Sequence, residues 1–164
     1  MTMANPHSLP YIEKVVVNVG LGRASQHPSF EKTLPEIEKE LASLTGQKPS
    51  RRPARMSIAG FKLRQGQTIG LKTTLRGKRM QAFLDKLNKV VFPRVRDFKG
   101  LDLKNIDAQG SLNIGLKEHV VFPEISQETS AANFGLQITC AMRNAKNRDE
   151  AIEVYKKLGF RFKK

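Results

Sequence analysis

Four segments of alternating apolar and polar residues, two longer amphipathic segments and the punctuation between them predict an α+β fold. The expected form is a single domain over residues 1–164, a mostly antiparallel sheet with helices packed on one face and the other face open. The alternating segments carry Val15, Val17 and Val19, then Ile69, Leu71, Thr73 and Leu75, then Leu112, Ile114 and Leu116, and last Leu136, Ile138, Cys140 and Met142. Period two belongs to a strand with one buried face. The amphipathic segments carry Phe30, Leu34, Ile37, Leu41 and Leu44, and further on Met80, Phe83, Leu84, Leu87, Val90 and Val91, both at helical spacing.

Met1–Leu9 is short and polar and is expected to be a flexible N-terminus. Tyr11–Leu21 reads as the first strand, with Lys14 and Asn18 on its less apolar side and Gly20 and Gly22 at its exit. The first helix has Ser29 or Thr33 as candidate caps, Pro35 marks a kink or a start, and Gly46 supplies the glycine that follows a helix end. Gln47–Met56, broken by Pro49 and Pro53, reads as a basic extended edge segment. Ser57–Gly66 reads as a flexible, glycine-spaced cationic loop that runs into the strand Gln67–Arg76. The second helix follows Gly77, and Pro93 is expected to end it. Arg94–Gly110 is charged and irregular, and Phe122-Pro123-Glu124 and the polar run to Asn133 read as a loop. Asn147 and Glu150 form a candidate capping box for a final helix that Gly159 stops.

Lys and Arg total 29 against 15 Asp and Glu, a formal net charge of +14. Such an excess repels itself in a compact chain and is offset by a polyanionic partner. Its distribution is uneven: no acidic residue lies between Glu40 and Asp85, while Lys48, Arg51, Arg52, Arg55, Lys62, Arg64, Lys72, Arg76, Lys78 and Arg79 all do. The non-core strand faces collect Lys14, Asn18, Lys72, Thr74, Arg76, Asn113, Lys117, Gln137, Thr139 and Arg143, again without an acid. Alternate strand residues stand ~6.6 Å apart, a spacing that lets Lys72, Thr74 and Arg76 track a sugar–phosphate backbone.

Other classes fit less well. The single cysteine, Cys140, rules out an intrachain disulfide or a multi-cysteine zinc site, and it reads as a small core residue. His7, His27 and His119 have no metal or triad spacing and read as surface or loop residues; no metal or cofactor is expected. Glu38 and Glu40 read as solvated helix carboxylates. Gly20-Leu21-Gly22 starts like a dinucleotide-binding turn, but Ser25 stands where the third glycine belongs and no helix starts directly at the glycines. No apolar run approaches the ~18 residues of a membrane span, and the N-terminus lacks the apolar core of a signal peptide. Trp is absent and aromatics are 7% of residues, so a stacking platform for single strands is poorly supported. A broad polar sheet face suits the shallow minor groove and 2′-hydroxyls of structured RNA.

Several separated blocks then resemble one family. EKVVVNVGLG (Glu13–Gly22), TGQKP (Thr45–Pro49), ARMSIAGFKLRQGQTIGLKTTLRG (Ala54–Gly77), PRVRDFKG (Pro93–Gly100) and FPEI (Phe122–Ile125) are similar, in order, to the bacterial-type fifth protein of the large ribosomal subunit, which binds 5S rRNA. The resemblance implies an antiparallel sheet with helices on one side and no enzymatic activity. It implies docking of 5S rRNA in the central protuberance beside 23S rRNA, in a bacterial-type ribosome of the cytoplasm or of an organelle, without homo-oligomerisation. Asn18, Gln47, Thr74 and Arg76 match positions that contact 5S rRNA, and Lys14, Lys48 and Lys72 join them as candidate rRNA ligands from their place in the basic pattern. Ser57, Gly60, Phe61, Lys62, Arg64, Gln65 and Gly66 fall in the loop that reaches P-site tRNA. Asp107, Gln109, Gly110 and Asn113 fall where the family forms an intersubunit bridge with small-subunit protein thirteen. Here Ala108 and Ser111 replace the usual glycine and asparagine, and Arg161 stands where proline is common. Only Met1–Leu9 precede Pro10, where many members carry a longer helical segment, so the first helix is expected to be more exposed. A free-standing structured-RNA chaperone or regulator is the alternative within the binding class. A nucleotide-dependent enzyme using Gly20–Gly22 is the alternative outside it.

Overall fold

The valine alternation of the first strand is realised as a buried row. In a computed structural model, which describes residues 9–125, 130 and 132–163, β1 (Tyr11–Gly20) buries Val15, Val17 and Val19 and leaves Asn18 and Gly20 exposed. The same rhythm holds in β3 (Thr68–Leu75), β4 (Leu112–Leu116) and β5 (Leu136–Arg143), which bury Leu71, Thr73 and Leu75, Leu112, Ile114 and Leu116, and Leu136, Ile138 and Cys140. A short β2 (Ser50–Pro53) pairs antiparallel with β3, and among the described residues five strands form one antiparallel sheet ordered β2-β3-β1-β5-β4. The frayed start expected for 1–9 lies outside the described residues, Leu9 excepted, as do 126–129 and 131 of the polar run to Asn133.

Two compact units share the chain. One comprises the described residues of Met1–Val16, Arg76–Ile114 and Ile138–Lys164, the other Val17–Leu75 and Gly115–Gln137. In the second unit α1 (Phe30–Thr45) buries Phe30, Leu34, Ile37, Leu41 and Leu44. Gly46 ends it at φ +67°, and its N–H donates to the Ala42 carbonyl at 2.8 Å. That left-handed conformation is cheap for glycine and strained for residues with a Cβ. The helix runs through Pro35, so this proline is neither its start nor its end. Ser29 occupies the N-cap position, but its hydroxyl meets His27 Nδ1 at 3.0 Å instead of a helix N–H.

The first unit holds α2 (Gly77–Lys86), and here the expected stripe needs two corrections. A π-helical turn, Leu87–Val91, interrupts the helix, the Phe92 N–H reaching the Leu87 carbonyl five residues back. The wider turn advances fewer degrees per residue, so Val90 rotates out to 37% exposure while Val91 and Phe92 take the buried side. Pro93 does not terminate the helix, which continues to Arg94. Phe92 stacks on Phe98 at 4.8 Å between centroids and meets Phe160 edge-on. The C-terminal helix Arg148–Lys157 follows Asn147, but the expected capping box is not realised: the Asn147 side chain makes no cap bond, and Glu150 Oε2 accepts at 2.9 Å from the N–H of Lys146, one residue before the cap.

Three side chains read as solvated are engaged in the second unit. His119 is fully buried and stacked on Phe134 at 3.9 Å, with Nε2 2.8 Å from Ser130 Oγ and 3.3 Å from Glu40 Oε2. Its Nδ1 accepts from the Phe134 N–H at 3.4 Å, so in the neutral ring the proton sits on Nε2. Glu38 pairs with Arg51. Alternation along a helix cannot reveal such partners, which arrive from distant sequence.

Candidate nucleic-acid interface

Register decides which cations reach the open face. In the β2–β3 pair Ser50 lies opposite Lys72, Arg51 opposite Leu71 and Arg52 opposite Gly70. Directly opposite residues share a face, so Arg51 stands on the side of buried Leu71, while Ser50 and Arg52 share the other side with Lys72 and Thr74. Glu38 on α1 takes up Arg51: Nε donates to Oε1 at 2.5 Å and the second guanidinium nitrogen to Oε2 at 3.2 Å. The pair raises the Arg51 pKa further, chiefly through the hydrogen bond. Glu38 of α1 thus engages the cation on one face of this edge, while Ser50 and Arg52 stand exposed on the other.

In the second unit that open face presents exposed Asn18, Ser50 and Arg52 and half-buried Lys72 and Thr74, with no acidic side chain among them. Ser50 Oγ donates to the Lys72 carbonyl at 3.1 Å, and Gln47 Nε2 donates to the Thr74 carbonyl at 3.3 Å. Gln47 thereby sits beside Thr74, as a shared site requires, and Lys48 next to it is exposed. Gly70 carries no side chain for a steric reason: a Cβ there would come within 2.9 Å of the Val19 carbonyl oxygen. β2 lies at the sheet edge within the extended edge segment expected over Gln47–Met56, and its register, with Arg52 opposite Gly70, adds Ser50 and Arg52 to the face residues that the four alternating segments supplied.

Of the remaining rRNA candidates, Lys14 is half-buried in β1 of the first unit, and Arg76 is exposed at the N-cap position of α2. On the same unit Thr139 Oγ1 donates to Asn113 Oδ1 at 2.7 Å, tying β5 to β4 through open-face groups.

Loop 57–66 is less free than its glycines suggest. Ile58 and Leu63 form a two-residue bridge, N–H to carbonyl at 3.0 and 3.2 Å, around a 3-10 turn at Ala59–Phe61. Lys62 adopts the left-handed conformation at φ +50°, Gln65 N–H donates to Ser57 Oγ at 2.9 Å, and Gly66 closes the loop at φ +83°. Ser57, Gly60, Phe61, Lys62, Arg64, Gln65 and Gly66 are all exposed, and Phe61 is 63% exposed beside Met56 and Ile58. The hairpin is thus self-bonded, with an exposed aromatic side chain and two exposed cations at its tip.

The segment 107–113 is fixed from within the first unit. Asp107 Oδ1 accepts from the N–H groups of Gln109 and Ser111, at 3.0 and 2.7 Å. Gly110 sits at φ +84°, where a Cβ would strike that of Ala151 at 2.7 Å. The buried Tyr155 hydroxyl lies 2.9 Å from the Gly110 carbonyl and 3.0 Å from that of Cys140, and accepts from the Leu112 N–H at 3.2 Å. Burial raises the Tyr155 pKa and pushes Cys140 up to about 12. Asp107 and Gly110 thus shape the loop; Asp107 and Gln109 are exposed, Asn113 is half-buried and Gly110 is buried.

The turn after Gly20 leads to a three-residue 3-10 helix, Ala24–Gln26, and α1 starts only at Phe30. Leu21 is buried, and its N–H donates to the Ile69 carbonyl at 2.9 Å, so this turn prolongs strand pairing. Among the described residues no cluster of His, Cys, Asp and Glu is arranged to hold a metal, and no helix is long and apolar enough to cross a membrane.

Residues 5–64 match the family model for ribosomal protein L5, and residues 68–162 match the model for the C-terminus of the same ribosomal family. The large ribosomal subunit protein uL5 of Dictyoglomus turgidum is 48% identical over 160 residues, covering 98% of this chain and 87% of the relative. The proteins of the same name from Halothermothrix orenii and Rubrobacter xylanophilus are 44% and 43% identical, each with 86% of the relative covered and 96% and 97% of this chain. With both family models matched in succession and such relatives aligned over nearly its whole length, the chain belongs to the ribosomal protein L5 family, a family of structural and not catalytic proteins.

Proposed function

We propose that this chain is a structural constituent of the large ribosomal subunit that holds 5S rRNA against its open sheet face. The observation that carries the reading is the acid-free surface of Asn18, Ser50, Arg52, Lys72 and Thr74, flanked by Gln47 and Lys48. Two cations set among amide and hydroxyl groups suit the phosphates and 2′-hydroxyls of a folded RNA. Lys14 and Arg76, on the first unit, are further RNA ligands, and 23S rRNA is the neighbouring partner. Loop 57–66, with exposed Phe61, Lys62 and Arg64, meets P-site tRNA. The turn around Asp107, with exposed Asp107 and Gln109, and Asn113 on β4 meet small-subunit protein thirteen. The setting is the ribosome of a bacterial-type cytoplasm, and the protein acts as one copy.

Reconstitution with large subunits followed by RNA crosslinking tests the proposal. Crosslinks to 5S rRNA from residues 50–52 and 72–74, and to tRNA from 57–66, are the expected result. Crosslinks from the sheet face to other RNA with none to 5S rRNA would overturn the assignment.

A further inference from the structure

The base of loop 57–66 borders a polar cleft that the reading above leaves unused. Gln67 braces one wall, its Nε2 donating to the Ser25 carbonyl at 2.7 Å and its Oε1 accepting from the Arg64 N–H at 3.1 Å. Gln26 braces the other, Nε2 donating to the Phe61 carbonyl at 2.8 Å. Between them lies a hollow of about 440 Å³ whose lining includes Gln26, Glu31, Lys62, Arg64 and Gln65. It adjoins a second hollow of about 620 Å³, floored by Phe30 and Leu34. Each falls in the size range of small-ligand sites.

The charges in the smaller hollow do not satisfy one another. Glu31 lines it together with Lys62 and Arg64, yet none of the three forms an ion pair among the described residues. A carboxylate and two cations bordering one space without meeting match a ligand that carries both hydrogen-bond donors and an anion. Guanine is the base with two adjacent donors on its Watson–Crick edge, N1–H and N2–H, which a carboxylate accepts as a pair. Adenine and cytosine place an acceptor beside their amine, and uracil offers one N–H between two carbonyls.

We propose that this cleft binds a guanosine monophosphate unit, either an unstacked nucleotide of RNA or a free guanine nucleotide. Glu31 accepts from N1–H and N2–H, the Gln65 amide donates to O6, and Lys62 and Arg64 meet the phosphate. The RNA source alone rests on the function proposed above; the chemistry of the cleft does not.

Amide chemical shifts of the labelled full chain, titrated with GMP, AMP, UMP and CMP, test it. Saturable shifts confined to residues 25–31 and 62–67, with GMP favoured over AMP by about tenfold, are expected, since a site built for donors rejects a base lacking them. Glu31→Gln, at an exposed position, should bring GMP and AMP within about twofold of each other while 5S rRNA binding stays unchanged. A second arm uses a hairpin RNA with one unpaired guanosine, replaced in turn by inosine and adenosine. Binding that weakens in that order identifies RNA as the source, whereas GMP binding without hairpin discrimination identifies the free nucleotide. Equal shifts from all four nucleotides, or none at millimolar concentration, would overturn the proposal whether or not 5S rRNA binds.

Discussion

Arg51 and Arg52 are neighbours on one strand with opposite fates: Arg51 is held by Glu38 on the α1 side, and Arg52 stands opposite Gly70 on the open side. Period two makes this split unavoidable, and it separates a structural cation from an RNA-facing one. Arg51→Ala is therefore expected to lower the thermal midpoint slightly and leave 5S rRNA affinity nearly unchanged. Arg52→Ala should do the reverse. Melting curves and filter binding on the two variants check this, and equal losses of affinity would mean that the faces are misassigned.

Thr73 is buried on the core side of β3, and its hydroxyl has no hydrogen-bond partner. Valine keeps the shape and removes the unsatisfied group, so Thr73→Val is expected to raise unfolding stability by about 1 kcal/mol. Urea denaturation measures it. A loss of stability would point to a partner for that hydroxyl.

Cys140 and Tyr155 set an alkaline limit. Burial pushes the Cys140 thiol from 9.0 up to about 12 and raises the Tyr155 phenol as well. A raised folded pKa means that the folded state holds the proton more tightly, so the stability is complete below the unfolded pKa and is lost as pH rises toward the folded one. For Cys140 the loss runs from about pH 9 to about pH 12. Denaturation midpoints should fall over that window, and Cys140→Ala should remove part of the fall. An identical pH dependence in the variant would contradict the assignment.

Much of the framework was legible in the sequence because burial on one face leaves a period. The rows of Val15, Val17 and Val19 and of Leu71, Thr73 and Leu75 came through as alternation, and Gly46 as a helix stop. What escaped was set by contacts distant in sequence. The π turn at Leu87–Val91 exchanges Val90 for Phe92 in the core, where Phe92 meets Phe98 and Phe160. His119 is buried because Phe134, Ser130 and Glu40 surround it. For the candidate site, cation-rich segments were visible, but the difference between Arg51 and Arg52 needed the register of β2, and the stiffness of loop 57–66 needed its internal bonds.

The hairpin tip and the sheet face are separate devices. Phe61, Lys62 and Arg64 are exposed, and the loop closes through backbone groups and Ser57, so Phe61→Ala with Lys62→Ala and Arg64→Ala should leave the hairpin folded. Affinity for 5S rRNA is expected to change by less than about twofold, as for contacts outside an interface, while P-site tRNA binding to reconstituted ribosomes weakens. Loss of 5S rRNA binding would merge the two sites.

The salt dependence of 5S rRNA affinity tests the central claim most directly. For the wild-type chain log K should fall steeply with log salt concentration, because each phosphate contact releases counterions. Replacing Arg52 and Lys72 together by Gln should lower the magnitude of that slope by about 1.5 and weaken binding, with the fold intact by circular dichroism. An unchanged slope and affinity in the double variant would show that 5S rRNA does not lie on the open sheet face.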